Sequence, residues 1–342
     1  KLLFLSMDLI DVVALNYMRF NKPRDAKPYL EEFEKKNSFE LSGNKDWRDY
    51  GKNELEKLEK FGAEIIPFYS KEFPKQLLEI KQKPLLLYVK GSLKEFPIEA
   101  IAIVGSRKCT SYGKGVSYKL SYELGKLGVC VISGLAYGID SEAHRGAIES
   151  NGTTIAVLGN GVNEVYPKEH LELYKEIEAK GLLVSEFPLG SKPTKYNFPF
   201  RNRLISGLGL AVVVVEAEVK SGSLITAMHA LEQGKEVFAV PGNITSKTSM
   251  GANELIRDGA IPVLGVEDII DNIPELKHLS NGAIVYKPSK EEDAILSQIE
   301  DGDTFDTILE KVAKEERELL MLLTLLEMKG LVKKASGRYF KA

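Results

Sequence analysis

Ala211-Val212-Val213-Val214-Val215-Glu216 decides the fold. Five consecutive apolar residues, four of them β-branched, suit a strand buried on both faces, and such strands belong to parallel sheets sandwiched between helices. Outward from this run, at 210–215, similar short runs stand at 101–104, 129–132, 153–158, 182–185, 236–240 and 261–264. Helical spacing fills the gaps. Between the first two, Val116, Leu120, Leu124 and Leu127 recur at steps of four, four and three, one face of a helix that stops at Gly128. Residues 98–273 therefore read as an α/β domain with a doubly wound, mostly parallel sheet.

The flanks read differently. Residues 1–62 are charged and helical in pattern, with Leu55, Leu58 and Phe61 on one face and Gly62 as a stop, which predicts a small helical N-terminal domain. Residues 63–97 read as an extended connector and 274–289 as a polar linker. The last stretch, 290–342, predicts a helix at 290–300, a second from the Thr304 cap, a third at 315–329 ending at Gly330, and a hairpin after it. Three helices and a hairpin suggest a winged-helix module.

Bulk composition excludes several classes. Across 342 residues, 46 Lys and Arg face 49 Asp and Glu, a net charge of −3. A protein that coats duplex DNA by bulk charge is thereby disfavoured. Cys109 and Cys130 are too few for a disulfide framework, so a reducing cytoplasm is expected. No run reaches the roughly 18 apolar residues of a membrane span, and no membrane partner is expected. The opening Lys-Leu-Leu-Phe-Leu is broken by Asp8 and Asp11 with no cleavage site behind it, so no secretory leader is expected.

Charge is nevertheless concentrated. Residues 187–215 hold no acidic side chain, yet contain Lys192, Lys195, Tyr196, Phe198, Phe200, Arg201, Asn202 and Arg203 in one basic and aromatic loop, 192–203. Residues 100–122 are also free of acids and carry Gly105-Ser106-Arg107-Lys108. Polar motifs follow the strand ends: Gly105-Ser106-Arg107, Ser133-Gly134, Gly159-Asn-Gly161, Ser185-Glu186, Ser221-Gly222-Ser223 and Pro241-Gly242. Open α/β sheets bind ligands at that edge, and helix N-termini there offer free N–H groups to anions. Phosphates beside unpaired bases are the ligand this chemistry suits.

Individual residues carry competing readings. Arg107, on a strand-to-helix turn, can grip a phosphate bidentately or pair with a neighbouring Glu. Lys168 is either a phosphate contact or a solvated lysine. One of Arg201 and Arg203 is expected to face the groove while the other pairs with Glu186 or Glu216. Phe198 and Phe200 stack on bases or fill core. Ser221, Gly222, Ser223 and Thr226 open a helix, where they cap it and present donors to phosphate.

Catalytic readings fail on spacing. Seven residues separate Gly105 from Gly113-Lys114 where a P-loop needs four, and Glu164 stands where the third glycine of a dinucleotide fingerprint belongs. Asp140 and His144 share a helical face near Ser133, but no nucleophile elbow accompanies them. His170, His229 and His278 are scattered. No metal, cofactor or enzymatic activity is expected.

Read in order, Val104-Gly-Ser-Arg107, Ser133-Gly-Leu-Ala-Tyr-Gly-Ile-Asp140, Tyr166-Pro167, Phe198-Pro-Phe-Arg-Asn-Arg203, Ser221-Gly-Ser-Leu-Ile-Thr226 and Ala239-Val-Pro-Gly242 closely resemble the DNA-processing protein A family (DprA/Smf). The resemblance covers roughly 62–270. It implies an extended Rossmann domain that binds single-stranded DNA and pairs as a homodimer. It further implies protection of incoming DNA in natural transformation and loading of a RecA-type recombinase. Under it Arg107 is the DNA-binding arginine, Lys168 and Lys195 are basic contacts, and Arg201-Asn202-Arg203 is the Arg-Asn-Arg motif. The C-terminal module resembles the family's winged helix, but Lys314-Glu-Glu-Arg-Glu318 makes its third helix too acidic for duplex insertion, so protein contacts are expected of it. The alternative from another class is a Rossmann-type enzyme acting on nucleoside phosphates.

Overall fold

The computed structural model describes residues 8–41, 45–280, 289–312, 314–328, 331–335 and 337–341. Three helices come first: α1 (Leu9–Asn21), α2 (Pro23–Lys36) and α3 (Lys45–Phe61). Strands β1 (Glu64–Pro67) and β2 (Leu86–Gly91) follow. An alternating run then gives β3 (Ala100–Val104), α4 (Ser111–Lys126), β4 (Cys130–Ser133), α5 (Ile139–Glu149), β5 (Thr154–Val157), α6 (Leu171–Lys180) and β6 (Leu182–Ser185). It continues through α7 (Asn197–Leu208), β7 (Ala211–Val214), α8 (Gly222–Glu232), β8 (Glu236–Ala239), α9 (Met250–Arg257), β9 (Ile261–Pro262) and α10 (Val266–Asn272).

The strands form one nine-stranded sheet in the order β1-β2-β6-β5-β4-β3-β7-β8-β9. From β6 to β9 every neighbour is parallel, while β1–β2 and β2–β6 are antiparallel. The stretch 63–97 is thus no free-standing connector: two of its segments extend the sheet at one edge. Side chains alternate as a strand requires. Ala102, Val104, Val212 and Val214 join one apolar layer, whereas Ile101, Ile103, Val213 and Val215 join the other. Leu120 and Leu124 of α4 enter the second layer, as their spacing predicted. Each such aliphatic side chain contributes roughly 1.5–3 kcal/mol on burial.

The first layer continues into the N-terminal helices, since Val12, Leu15, Met18 and Phe33 belong to the same cluster as Leu86 and Val184. Helices α1–α3 therefore share a core with the sheet. At the other end, Pro274–Leu279 form a short 3₁₀ helix with Leu276 buried under the sheet, so the polar linker begins later than 274. Residues 281–288 of that linker, the opening residues 1–7 and the expected helix stop Gly330 lie outside the described residues. The C-terminal unit contains α11 (Lys290–Gln298), β10 (Asp303–Thr304), α12 (Phe305–Lys311), α13 (Glu316–Met328), β11 (Val332–Ala335) and β12 (Arg338–Lys341). Its three strands form a separate small sheet over its own core of Ile299, Ile308, Leu323 and Tyr339. Thr304 caps α12 by accepting from the Thr307 N–H.

Candidate functional site

The chain runs from β3 outward to β6 and then returns to place β7 against the other side of β3. This reversal opens a crevice beyond the carboxyl ends of β3 and β7, where doubly wound sheets bind ligands. A cleft of about 650 Å³ occupies that position. Its walls bring together residues far apart in sequence: Gly105, Ser106 and Arg107 after β3, Lys195 and Phe198 before and within α7, and Ser221, Gly222, Ser223 and Thr226 at the start of α8.

The turn after β3 is held by packing. The Ser106 N–H donates to the Glu216 carbonyl at 2.7 Å, and the Lys108 N–H donates to Ser106 Oγ at 3.1 Å. Gly105 is required by close approach, because a Cβ there would sit 2.5 Å from Ile139 Cγ1 and 2.9 Å from the Glu216 oxygen. Buried Glu216 also accepts from the Thr110 N–H and hydroxyl at 2.8 and 2.7 Å, which fixes the start of α4. Thus Arg107 leaves the turn in a set direction. Its guanidinium lies 4.8 Å from the centre of the Phe198 ring, and among the described residues it makes no salt bridge.

Phe198 is already occupied on its surfaces. Tyr166 stacks on it at 5.5 Å and 30°, Arg107 covers it, and Gly159 lies so close that a Cβ would sit 2.7 Å from its Cδ1. The half-buried ring is a plate that holds Arg107, which favours the packing reading of Phe198 over base stacking. The accessible aromatic faces are Tyr196, 74% exposed, and Tyr166, 38% exposed. Tyr166 was not singled out as a site residue in the sequence, although Tyr166-Pro167 at a strand end was the available signal.

The expected loop 192–203 is a loop only in its first half, since α7 begins at Asn197. Pro199 reads as a helix breaker but stands in the first turn, where its missing N–H costs nothing. Helical geometry then separates the two arginines. Arg201 points to the cleft floor, where it is 3% exposed, donates to the Gly134 carbonyl at 3.0 Å and to the Val157 carbonyl, and lies beside Asp140. Burial brings its pKa down to about 10, partly offset by the Asp140 charge, so it stays protonated at neutral pH. Burial likewise raises the Asp140 carboxyl, against the pull of Arg201.

Arg203 points the other way and is absent from the cleft. It donates to Glu186 Oε2 at 2.6 Å and to the Gln82 carbonyl at 2.7 Å, while Arg19 of α1 takes the other Glu186 oxygen at 2.8 Å. Its expected DNA contact is therefore corrected to a buried structural bridge. Asn202 lines the cleft but spends its amide on the Gly222 carbonyl at 3.1 Å, which joins α7 to the start of α8. Lys168 stands exposed beyond Tyr166 and Pro167, outside the cleft wall. Ser221 caps α8 by accepting from the Ser223 N–H at 3.3 Å.

Lys108 and Lys220 complete the rim, and Lys220 is a cation that the sequence reading missed. Four exposed cations, Arg107, Lys108, Lys195 and Lys220, face one exposed carboxylate, Glu218. The first-turn N–H groups of α8 add partial positive charge at the same edge. Such a cleft attracts a polyanion.

Nucleophilic chemistry is not assembled beside it. Ser133 Oγ donates to the Ile103 carbonyl at 2.6 Å, and His144 Nδ1 meets Thr154 Oγ1 at 2.7 Å. Burial lowers His144 to about 3, so its ring is neutral. Asp140 faces Arg201 instead of the imidazole. No helix among the described residues is long and apolar enough to cross a membrane.

Known proteins resemble this chain in sequence and in fold. A family model described as DNA recombination-mediator protein A matches residues 64–274. Protein Smf of Escherichia coli is 40% identical over 294 residues, which cover 83% of this chain and 79% of that protein. The crystal structure of DNA processing protein A from Streptococcus pneumoniae superposes with a TM-score of 0.65 at 31% identity, over 79% of this chain and 99% of that one. A Helicobacter pylori DNA processing protein A, described for its single-stranded DNA binding mode, superposes with a TM-score of 0.57 at 29% identity, over 62% of this chain and 96% of that one.

Proposed function

The chain belongs to the DNA recombination-mediator protein A family, and on that premise we propose that the cleft between β3 and β7 grips the backbone of unpaired DNA. The observation that carries this reading is the Arg107 guanidinium, exposed, without a salt bridge and held on the Phe198 ring at the mouth of the cleft. A guanidinium supported on one face keeps its N–H edge free for phosphate oxygens. Lys195 and Lys220 extend the same charge along the strand, and the N–H group of Gly222 at the start of α8 supplies a fixed donor. Tyr166 and Tyr196 provide faces for splayed bases, each engaged base being worth ~1–3 kcal/mol. Contacts of this kind are tolerant of sequence.

Binding without chemistry follows from the neighbours of the cleft. Ser133, His144 and Asp140 each bond elsewhere, and Arg201 is tied to backbone carbonyls in the floor beside Asp140. The protein then acts as a carrier that protects incoming strands during transformation and hands them to a RecA-type recombinase, paired as a homodimer. Cytoplasmic residence suits that role. The described part of 290–342 has the helices and hairpin of a winged-helix domain, and Lys314 bridges Glu291 and Glu318 on its surface. That acidic face suits a protein contact. Lys168 lies far enough along the rim to meet a longer strand. The enzymatic alternative has Glu218 as the one exposed carboxylate in the cleft. Release of free base from nucleoside monophosphates would support it.

The test compares affinity for oligo-dT and for a duplex of equal length, in wild type, Arg107→Ala and Lys195→Ala. The reading expects preference for oligo-dT, weakened by both substitutions. Equal affinity for the two DNAs, unchanged in the variants, would refute it.

A further inference from the structure

Helix α7 is a partition. On one side Phe198, Arg201 and Asn202 line the cleft; on the other, Asn197 and Phe200, with Tyr196 just before them, line a second groove of about 820 Å³. The far wall of that groove is Phe20 of α1 and Leu30 of α2, and Phe187 closes it. Phe20 lies 4.6 Å from Phe187 and 5.9 Å from Phe200, ring centre to ring centre.

Resting on the reading of the cleft as a single-strand site, we propose that this groove is a base subsite for the same strand: unpaired nucleobases leave the phosphate cleft over Tyr196 and enter between α1, α2 and α7. Three observations point to bases. The groove adjoins the cleft along the chain, because Lys195 lines one and its neighbour Tyr196, 74% exposed, lines the other. Its exposed charges balance. Lys27 and Lys35 stand against Glu31 and Glu34, Lys27 pairs with Glu31 at 3.8 Å, and the half-buried Arg19 is committed to Glu186. A phosphate would find no excess of exposed cations there, while a neutral aromatic ring finds aromatic walls. Finally, the groove is built in advance. Asn16 Nδ2 donates to the Glu186 carbonyl at 2.9 Å, and Glu54 Oε1 accepts the Leu189 N–H at 2.6 Å, so α1 and α3 are fastened to the segment that leads into the loop. The helix between the two sites is about 10–12 Å across with its side chains, a span a few nucleotides bridge.

The experiment uses the full chain with oligo-dT and an abasic oligonucleotide of equal phosphate number, and places 4-thiothymidine along the oligo-dT for photocrosslinking. Tyr196→Ala should bind oligo-dT roughly tenfold more weakly with little change toward the abasic strand. Tyr196→Trp should retain wild-type affinity. Crosslinks should fall on peptides of α1 and α2 that contain Phe20 and Leu30. Crosslinks restricted to 104–108 and 221–226, with Tyr196→Ala binding oligo-dT like wild type, would overturn the groove and leave the cleft standing. Arg107→Ala in the same series separates the two readings: if it too binds every strand like wild type, the cleft reading fails and the groove falls with it.

Discussion

Two arginine–phenylalanine stacks are built on opposite faces of one helix, on Phe198 and Phe200 in the first turn of α7, and they do opposite work. Arg107 sits 4.8 Å over Phe198, and Arg203 sits 4.0 Å over Phe200. The first guanidinium is exposed and holds no salt bridge among the described residues; the second is 3% exposed and locked to Glu186 together with Arg19. Residue type and aromatic support are the same in both. What separates them is whether a carboxylate of the chain has already taken the charge. A buried bridge fixes α1, β6 and α7 together, whereas an open cation at a strand end waits for an anion from outside.

The comparison breaks most severely at Glu186. Glu186→Ala leaves two guanidinium groups without their shared carboxylate, and removing one partner of a buried pair typically costs about 3–5 kcal/mol. Urea unfolding should show that loss. A midpoint near wild type would mean the bridge is no anchor. Arg107→Ala is the mirror case: stability should stay within about 0.5 kcal/mol of wild type, and oligo-dT affinity should fall roughly tenfold. Equal damage to stability would make Arg107 a structural residue after all.

Phe198→Leu sharpens the difference. It keeps the α7 packing but removes the plate beneath Arg107, so affinity should drop severalfold, less than in Arg107→Ala, since the cation remains but is less well placed. A full wild-type affinity in a binding titration would show that the stack is incidental.

The smallest effect on binding should come from pH. His144 is held neutral in the fold, with its pKa lowered to about 3 against 6.5 in the unfolded chain. Between those values the unfolded state binds the extra proton, so stability falls as pH drops below about 6.5, by up to ~1.4 kcal/mol per unit. His144→Asn should flatten that acid slope in a urea series. Oligo-dT affinity, by contrast, should hold level from pH 6 to 8, because no histidine lines the cleft.

Much of this was legible from the chain. Ala211–Val215 announces a doubly buried strand, and the polar motifs after each strand put the site at the carboxyl edge of the sheet. Gly105 and Arg107 could be named because a strand-to-helix turn leaves few choices. Arg201 and Arg203 could not be assigned individually, since their directions depend on α7 starting at Asn197, and Pro199 disguised that start. Phe198 stayed open between base stacking and core for a related reason: the partners covering it, Tyr166 and Arg107, come from distant turns, and aromatic spacing does not reveal which faces are filled. The edge strands β1 and β2 looked like a connector because their pairing is antiparallel and non-local. Burial of α1 against the sheet likewise has no local signature.

The most direct trial of the central claim is the salt dependence of oligo-dT binding in wild type, Arg107→Ala and Arg203→Lys, read as the slope of log affinity against log salt. If Arg107 meets a phosphate, its removal should flatten the slope by ~0.7, while Arg203→Lys leaves the slope as in wild type. An unchanged slope in Arg107→Ala, or an equal flattening in Arg203→Lys, would contradict the division of labour between the two stacks.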